Sequence, residues 1–147
     1  MSTTFTHQRL IAATPTQVFA AMADAQRLAR WWGPDGFTNT FSVFEFKAGG
    51  AWHFTMHGPD GTNYPNESEF TEIVPNRRCV VRHVVAPLFT LAIDLHAEGE
   101  GTRVEWRQTF DEDKVAEAVR HIVEPANEQN LSRLAREVAA PPTRTAG

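Results

Sequence analysis

From Thr40 to Phe110 apolar side chains recur at every second position, and clusters rich in Gly, Pro, Asn and Asp interrupt the pattern at KAGG, HGPDG, VPNR, VAP and AEGEG. A period of two sends alternate side chains to opposite faces of an extended chain, so this stretch buries one face and leaves the other to solvent. Six strands are predicted, over residues 40–47, 51–57, 64–74, 78–85, 89–97 and 102–110. Their connections are too short for crossover helices, which makes neighbours antiparallel and the sheet a meander. The alternation assigns an inward set: Trp52, Phe54 and Met56; Phe89, Leu91, Ile93 and Leu95; Val104, Trp106, Gln108 and Phe110.

The flanks complete the layout. FTHQRLIAA reads as a further strand. Thr14 can N-cap a helix with Pro15 in its first turn and Gln17 closing a capping box. Asp24 offers a second N-cap, and Leu28, Trp31 and Trp32 recur at helical spacing until Gly33-Pro34 stops the helix. After Phe110 the segment starting DEDKV is helical, with Val119, Val123, Asn127, Leu131, Leu134 and Val138 as the stripe facing the sheet. It is one long helix or two joined pieces, because Pro125 cannot donate to the carbonyl of His121 and predicts a kink or restart at 121–125. A helix is narrower than the concavity of a seven-stranded sheet, so a space is left between them, and that space is the candidate site.

Composition excludes several classes. A chain of 147 residues suits one domain, expected over 1–140, with PPTRTAG at 141–147 as a disordered tail. No apolar run reaches the ~18 residues of a membrane span. MSTTFTHQRL has no apolar stretch behind a basic start, and Cys79 is the only cysteine, so the expected location is cytoplasmic. A formal net charge of -4 with scattered arginines argues against nucleic acid. No metal is expected: His53 and His57 lie on one strand, roughly 13 Å apart at ~3.3 Å per residue, too far to share an ion. Cys79 reads as a small core residue, not a nucleophile.

The order of elements, with WWGP at 31–34, KAGGAWHF at 47–54, HGPDG at 57–61, EIVPNR at 72–77, GTRVEWRQTF at 101–110 and NEQNL at 127–131, resembles the activator of heat-shock-protein-90 ATPase homologue family. The resemblance runs from about Phe5 to Ala139. It implies the START-like (SRPBCC) superfamily and an α+β helix-grip fold: a curved seven-stranded antiparallel sheet wrapped around a long C-terminal helix, with two short helices after the first strand. It also implies a choice of functions. One is binding of a small hydrophobic or aromatic ligand between sheet and helix. The others are a polyketide cyclase-, aromatase- or hydrolase-like enzyme acting in that cavity, and a chaperone-interacting module. No nucleophile, triad or glycine-rich phosphate loop stands out, so ligand binding without cofactor or catalytic residue is the reading preferred. The partners left open are a small hydrophobic molecule, a chaperone and a second copy of the chain.

The expected cavity residues are Trp31, Trp32 and Phe37 near the second short helix; Trp52, Phe54, Met56, Phe70, His83, Phe89, Leu91, Ile93, Trp106 and Gln108 on the sheet; and Asn127 and Asn130 on the long helix. Cys79 and Val81 share the face of His83, and Asn66 and Ser68 join Phe70 inward if their strand has no bulge. His83 and Gln108 either bond within the protein or orient a ligand in an apolar pocket. The two tryptophans are ~100° apart on their helix. Trp31, in register with Leu28, is expected to anchor the core, and Trp32 to sit partly exposed as a lid residue, with Gly33 to Phe37 mobile about Gly36.

Overall fold

The computed structural model describes residues 2–139; the tail expected at 141–147 lies outside the described residues. In chain order the elements are β1 (Thr3–Ile11), α1 (Pro15–Ala23), α2 (Ala25–Trp31), β2 (Thr38–Phe44), β3 (Ala51–His57), β4 (Asn63–Val74), β5 (Arg78–His83), β6 (Phe89–Glu98), β7 (Gly101–Phe110) and α3 (Asp113–Ala139). The sheet runs β1-β7-β6-β5-β4-β3-β2 with every neighbouring pair antiparallel. This is the helix-grip fold.

The strand order dictates where the helices go. β1 and β2 lie at opposite edges, so the α1–α2 pair that joins them crosses the sheet. α3 returns over the same face, and its backbone comes close to β1, β7, α1 and α2 but to no strand from β2 to β6. That separation opens a space above the middle of the sheet.

Local chemistry starts and stops these elements close to where the sequence predicts, and three of the departures have a visible cause. Thr14 and Gln17 make the reciprocal capping box of α1, and the Asp24 side chain accepts from the Gln26 and Arg27 amides to start α2; each cap is worth about 1 kcal/mol. β2 ends at Phe44, not 47, because Glu45 and Gly50 already turn the chain through bonds to Ala51 and Lys47. β5 ends at His83, not 85, where the chain leaves for the loop carrying Pro87. Of the kink or restart expected at 121–125, the restart does not occur: α3 is one long helix through Pro125, the first of the two alternatives. Pro125 and His121 are both exposed, so water can serve the carbonyl that lacks its helical donor. Buried Ala116 on one side and Leu131 and Leu134 on the other hold the helix together across that point.

The core is aromatic. Trp31, Trp52, Trp106, Phe70 and Phe110 are its largest fully buried side chains, and Trp52 stacks on Phe70 with 5.4 Å between centroids. The outer face is charged, as the alternation requires: Asp94 accepts from both Arg78 and Arg107. Full burial of a large apolar side chain contributes roughly 1.5–3 kcal/mol, so this inner layer is what fixes the strand faces.

Candidate functional site

The space between α3 and the sheet is a cavity of about 480 Å³. Strands β3 to β7 supply its floor through Phe54, Met56, Asn66, Ser68, Val81, His83, Phe89, Leu91, Trp106 and Gln108. Ile122, Val123, Ala126, Asn127 and Asn130 of α3 form the opposite wall, and Trp32, Gly33, Pro34 and Phe37 close one end. Tyr64 and Ile122 are exposed as well as lining, which marks the side that opens to solvent. The Phe37 and Tyr64 rings meet at 5.9 Å.

The WWGPDGF stretch is a bonded wall, not the loose lid expected. Arg133 on α3 reaches across to it: Nη1 donates to the carbonyls of Trp32, Gly33 and Pro34 at 3.2, 2.9 and 2.8 Å, and Nη2 to those of Arg30 and Phe37 at 2.7 and 3.0 Å. A helix end leaves carbonyls without partners, and the planar guanidinium fork spreads its donors widely enough to serve several of them. Burial lowers the Arg133 pKa from its ordinary value, against the pull of nearby Asp35. Asn130 adds a two-way clasp, accepting from the Gly33 amide and donating to the Trp31 carbonyl, and Gln129 accepts from the Asp35 amide. Glycine suits position 33 because its φ is +95°, a backbone conformation that residues with a Cβ rarely adopt.

The polar groups of the floor are few. The two nitrogens of His83 lie 2.8 Å from the Pro87 carbonyl and 2.8 Å from Asn66 Oδ1, and its ring stacks on Phe89 at 4.7 Å. Asn66 is itself oriented by donating to the Tyr64 carbonyl. Asn127 Nδ2 donates to Gln108 Oε1 at 3.0 Å, joining α3 to β7 across the cavity wall. Asn66 and Ser68 do follow Phe70 inward; the irregularity in β4 falls later, between Phe70 and Glu72.

The structure divides the expected cavity residues. Trp32, Phe37, Phe54, Met56, His83, Phe89, Leu91, Trp106, Gln108, Asn127 and Asn130 line the space. Trp31, Trp52, Phe70 and Ile93 do not: Trp31 points down from α2 and the other three point up from the sheet beneath α1 and α2, and they pack together there around a void of only about 10 Å³. Trp32 is only 9% exposed, not partly exposed, because its ring is hemmed in by Trp31, Trp52, Phe54 and Trp106. Sequence reading missed Arg133, and it missed Tyr64, Pro87 and Ile122. For Ile122 a signal existed, an apolar residue off the α3 stripe; for Pro87 none did, since its role depends on the path of a loop.

Cys79 is buried, and burial pushes its thiol pKa up to about 12. Among the described residues no three His, Cys, Asp or Glu side chains cluster as a metal site. His57 bonds Thr40 and Asn63 instead. No helix among the described residues is long and apolar enough to cross a membrane.

A curved antiparallel sheet gripping one long helix over a largely apolar cavity defines a START-like (SRPBCC) protein, a scaffold suited in general to ligand binding. The chain belongs to the family described as Activator of Hsp90 ATPase homolog 1-like protein, whose model matches residues 12–139. No curated protein matches it. Among solved structures, one from Arthrobacter aurescens superposes with TM-score 0.86 at 22% identity, covering 95% of this chain and 88% of that one. One from Chromobacterium violaceum gives 0.84 at 22%, covering 95% and 99%. One from Rhizobium loti gives 0.71 at 28%, covering 93% and 97%. These likenesses show the fold.

Proposed function

We propose that this protein binds a small, predominantly apolar or aromatic molecule in the cavity between α3 and strands β3 to β7. The observation that carries the reading is the cavity itself: about 480 Å³, walled mainly by aromatic and aliphatic side chains with few polar groups. A space of that size lies within the usual range for small-molecule sites, and a few placed polar groups in an apolar wall are how such sites orient a ligand. A solid core would cost less than an unfilled one, since each unfilled volume forfeits packing.

A ligand that binds only the folded state stabilises it by mass action, so a hundredfold excess over Kd adds about 2.7 kcal/mol. The test is a thermal-shift screen of aromatic and acyl compounds, with mass spectrometry of each incubated compound. A raised melting temperature with the compound recovered unchanged supports binding; recovery of a product moves the reading to an enzyme acting in the same cavity. A screen in which no compound raises the melting temperature rejects it.

A further inference from the structure

Apart from the Ser68 hydroxyl, the sealed Trp106 Nε1 and Tyr64 at the mouth, the polar side chains lining the cavity fall into two groups. Asn66, His83 and Asn130 spend their hydrogen bonds on the protein: on Tyr64 and His83, on Asn66 and Pro87, and on Trp31 and Gly33. Gln108 and Asn127 do not. Their single mutual bond uses one donor and one acceptor, and each side chain amide carries both. One amide NH2 and one amide C=O therefore remain without a protein partner. Both residues are over nine-tenths buried and line the cavity, and neither free atom is among the sealed unpartnered ones. Exchanging O and N in both amides changes which residue offers which group but not the outcome: one donor and one acceptor face the space.

The walls add a constraint on charge. Among the described residues, no Lys, Arg, Asp or Glu side chain lines the cavity. Its titratable side chains are His83, whose nitrogens are turned to the Pro87 carbonyl and Asn66 and bond neither Gln108 nor Asn127, and Tyr64, which is exposed at the mouth. An ion seated at Gln108 and Asn127 would lose its hydration without a counter-charge. A carboxylate, which only accepts, would also leave the amide C=O unpaired.

We infer that the ligand is a neutral aromatic or fused-ring molecule bearing a hydroxyl, which accepts from the free amide N–H and donates to the free amide C=O of the Gln108–Asn127 pair. This rests on the cavity-binding reading above and specifies it. A hydroxyl is the smallest neutral group that satisfies a donor and an acceptor together, and a site built for one discriminates against analogues that leave its polar groups unpaired.

The experiment is calorimetric titration of naphthol, naphthalene and methoxynaphthalene into the wild-type protein and into the double variant Gln108→Leu/Asn127→Leu. Removing both amides leaves no orphaned partner, and a melting curve checks that the variant is folded. Naphthol should bind wild type about tenfold tighter than the other two, the factor that about one net hydrogen bond supplies. In the double variant the three should become equal. If the three bind wild type equally, the amides serve only each other; the inference falls while cavity binding stands. If naphthol keeps its advantage in the double variant, the hydroxyl is read elsewhere and the inference is overturned. If none binds, the inference is overturned too, and the broader thermal screen decides cavity binding separately.

Discussion

Trp31 and Trp32 touch edge to face, 5.8 Å between centroids at 69°, yet only Trp32 lines the cavity. One residue of helical rotation turns Trp31 under α1, where its Nε1 donates to the Ala21 carbonyl. It turns Trp32 toward Trp52, Phe54 and Trp106. Both are buried, so Trp31→Ala and Trp32→Ala should each cost about 3–5 kcal/mol in urea melts. Function separates them: the milder Trp32→Phe should change affinity for a cavity ligand and Trp31→Phe should not. Equal effects on affinity would mean the cavity end is not where Trp32 stands.

Arg133 replaced by Ala should free the 30–37 carbonyls at once. Hydrogen bonds to a charged group are worth roughly 1.5–3 kcal/mol, and the expected loss of stability is about 2–3 kcal/mol. Hydrogen exchange should accelerate at Gly33 and Asp35, whose amides bond α3, while Leu91 and Val104 in the sheet keep their protection. Arg133→Lys should rescue little, since an ammonium cannot span Trp32, Pro34 and Phe37 together. Full rescue by lysine would show that charge alone holds the loop.

Leu134 is fully buried against the core, and Leu134→Ala should cost about 2–5 kcal/mol. Glu128, earlier on the same helix, accepts a hydrogen bond from His7 on β1 but is itself exposed. Glu128→Gln should cost no more than about 1 kcal/mol, the range of exposed ion pairs. Chemical denaturation of the two variants reads the difference directly.

How far the sequence carries depends on how local the cause is. Thr14 with Gln17, and Asp24 before Gln26, are caps completed within a few residues, so they were legible. So were the strand faces, because alternation at Trp52 and Phe54 or Val104 and Trp106 needs no knowledge of the partner strand. What separates cavity from core is not local. Leu91 and Ile93 alternate identically on β6, yet Leu91 faces open space and Ile93 faces the α1–α2 cover. Only the crossing of the sheet by α1 and α2 decides between them. Arg133 was invisible for the same reason: its partners lie about a hundred residues away in the chain.

Cys79 should be silent. Desolvation raises its thiol pKa to about 12, so thiolate is scarce at neutral pH and reagents cannot reach the buried sulfur. Labelling by a thiol-reactive dye should occur only at the rate of unfolding and become immediate in denaturant. Rapid labelling of the native protein would place Cys79 at an accessible surface and contradict the face assigned to β5.

Glu137 near the end of α3 ties that helix to α2. Burial works against its charge, but hydrogen bonds from Arg30 and Arg27, with their charges, outweigh it and hold the carboxyl below its ordinary 4.5. A carboxyl depressed in the folded state stabilises it fully above the unfolded value and loses that contribution as pH falls through the folded one. Wild type should therefore be more stable than Glu137→Gln at neutral pH by a constant margin. That margin should close only as the pH drops below 4.5. Urea midpoints of both proteins across the acid range measure it. A margin that closes well above 4.5 would mean that burial wins over the two arginines and that the α2–α3 clasp is weaker than its geometry indicates.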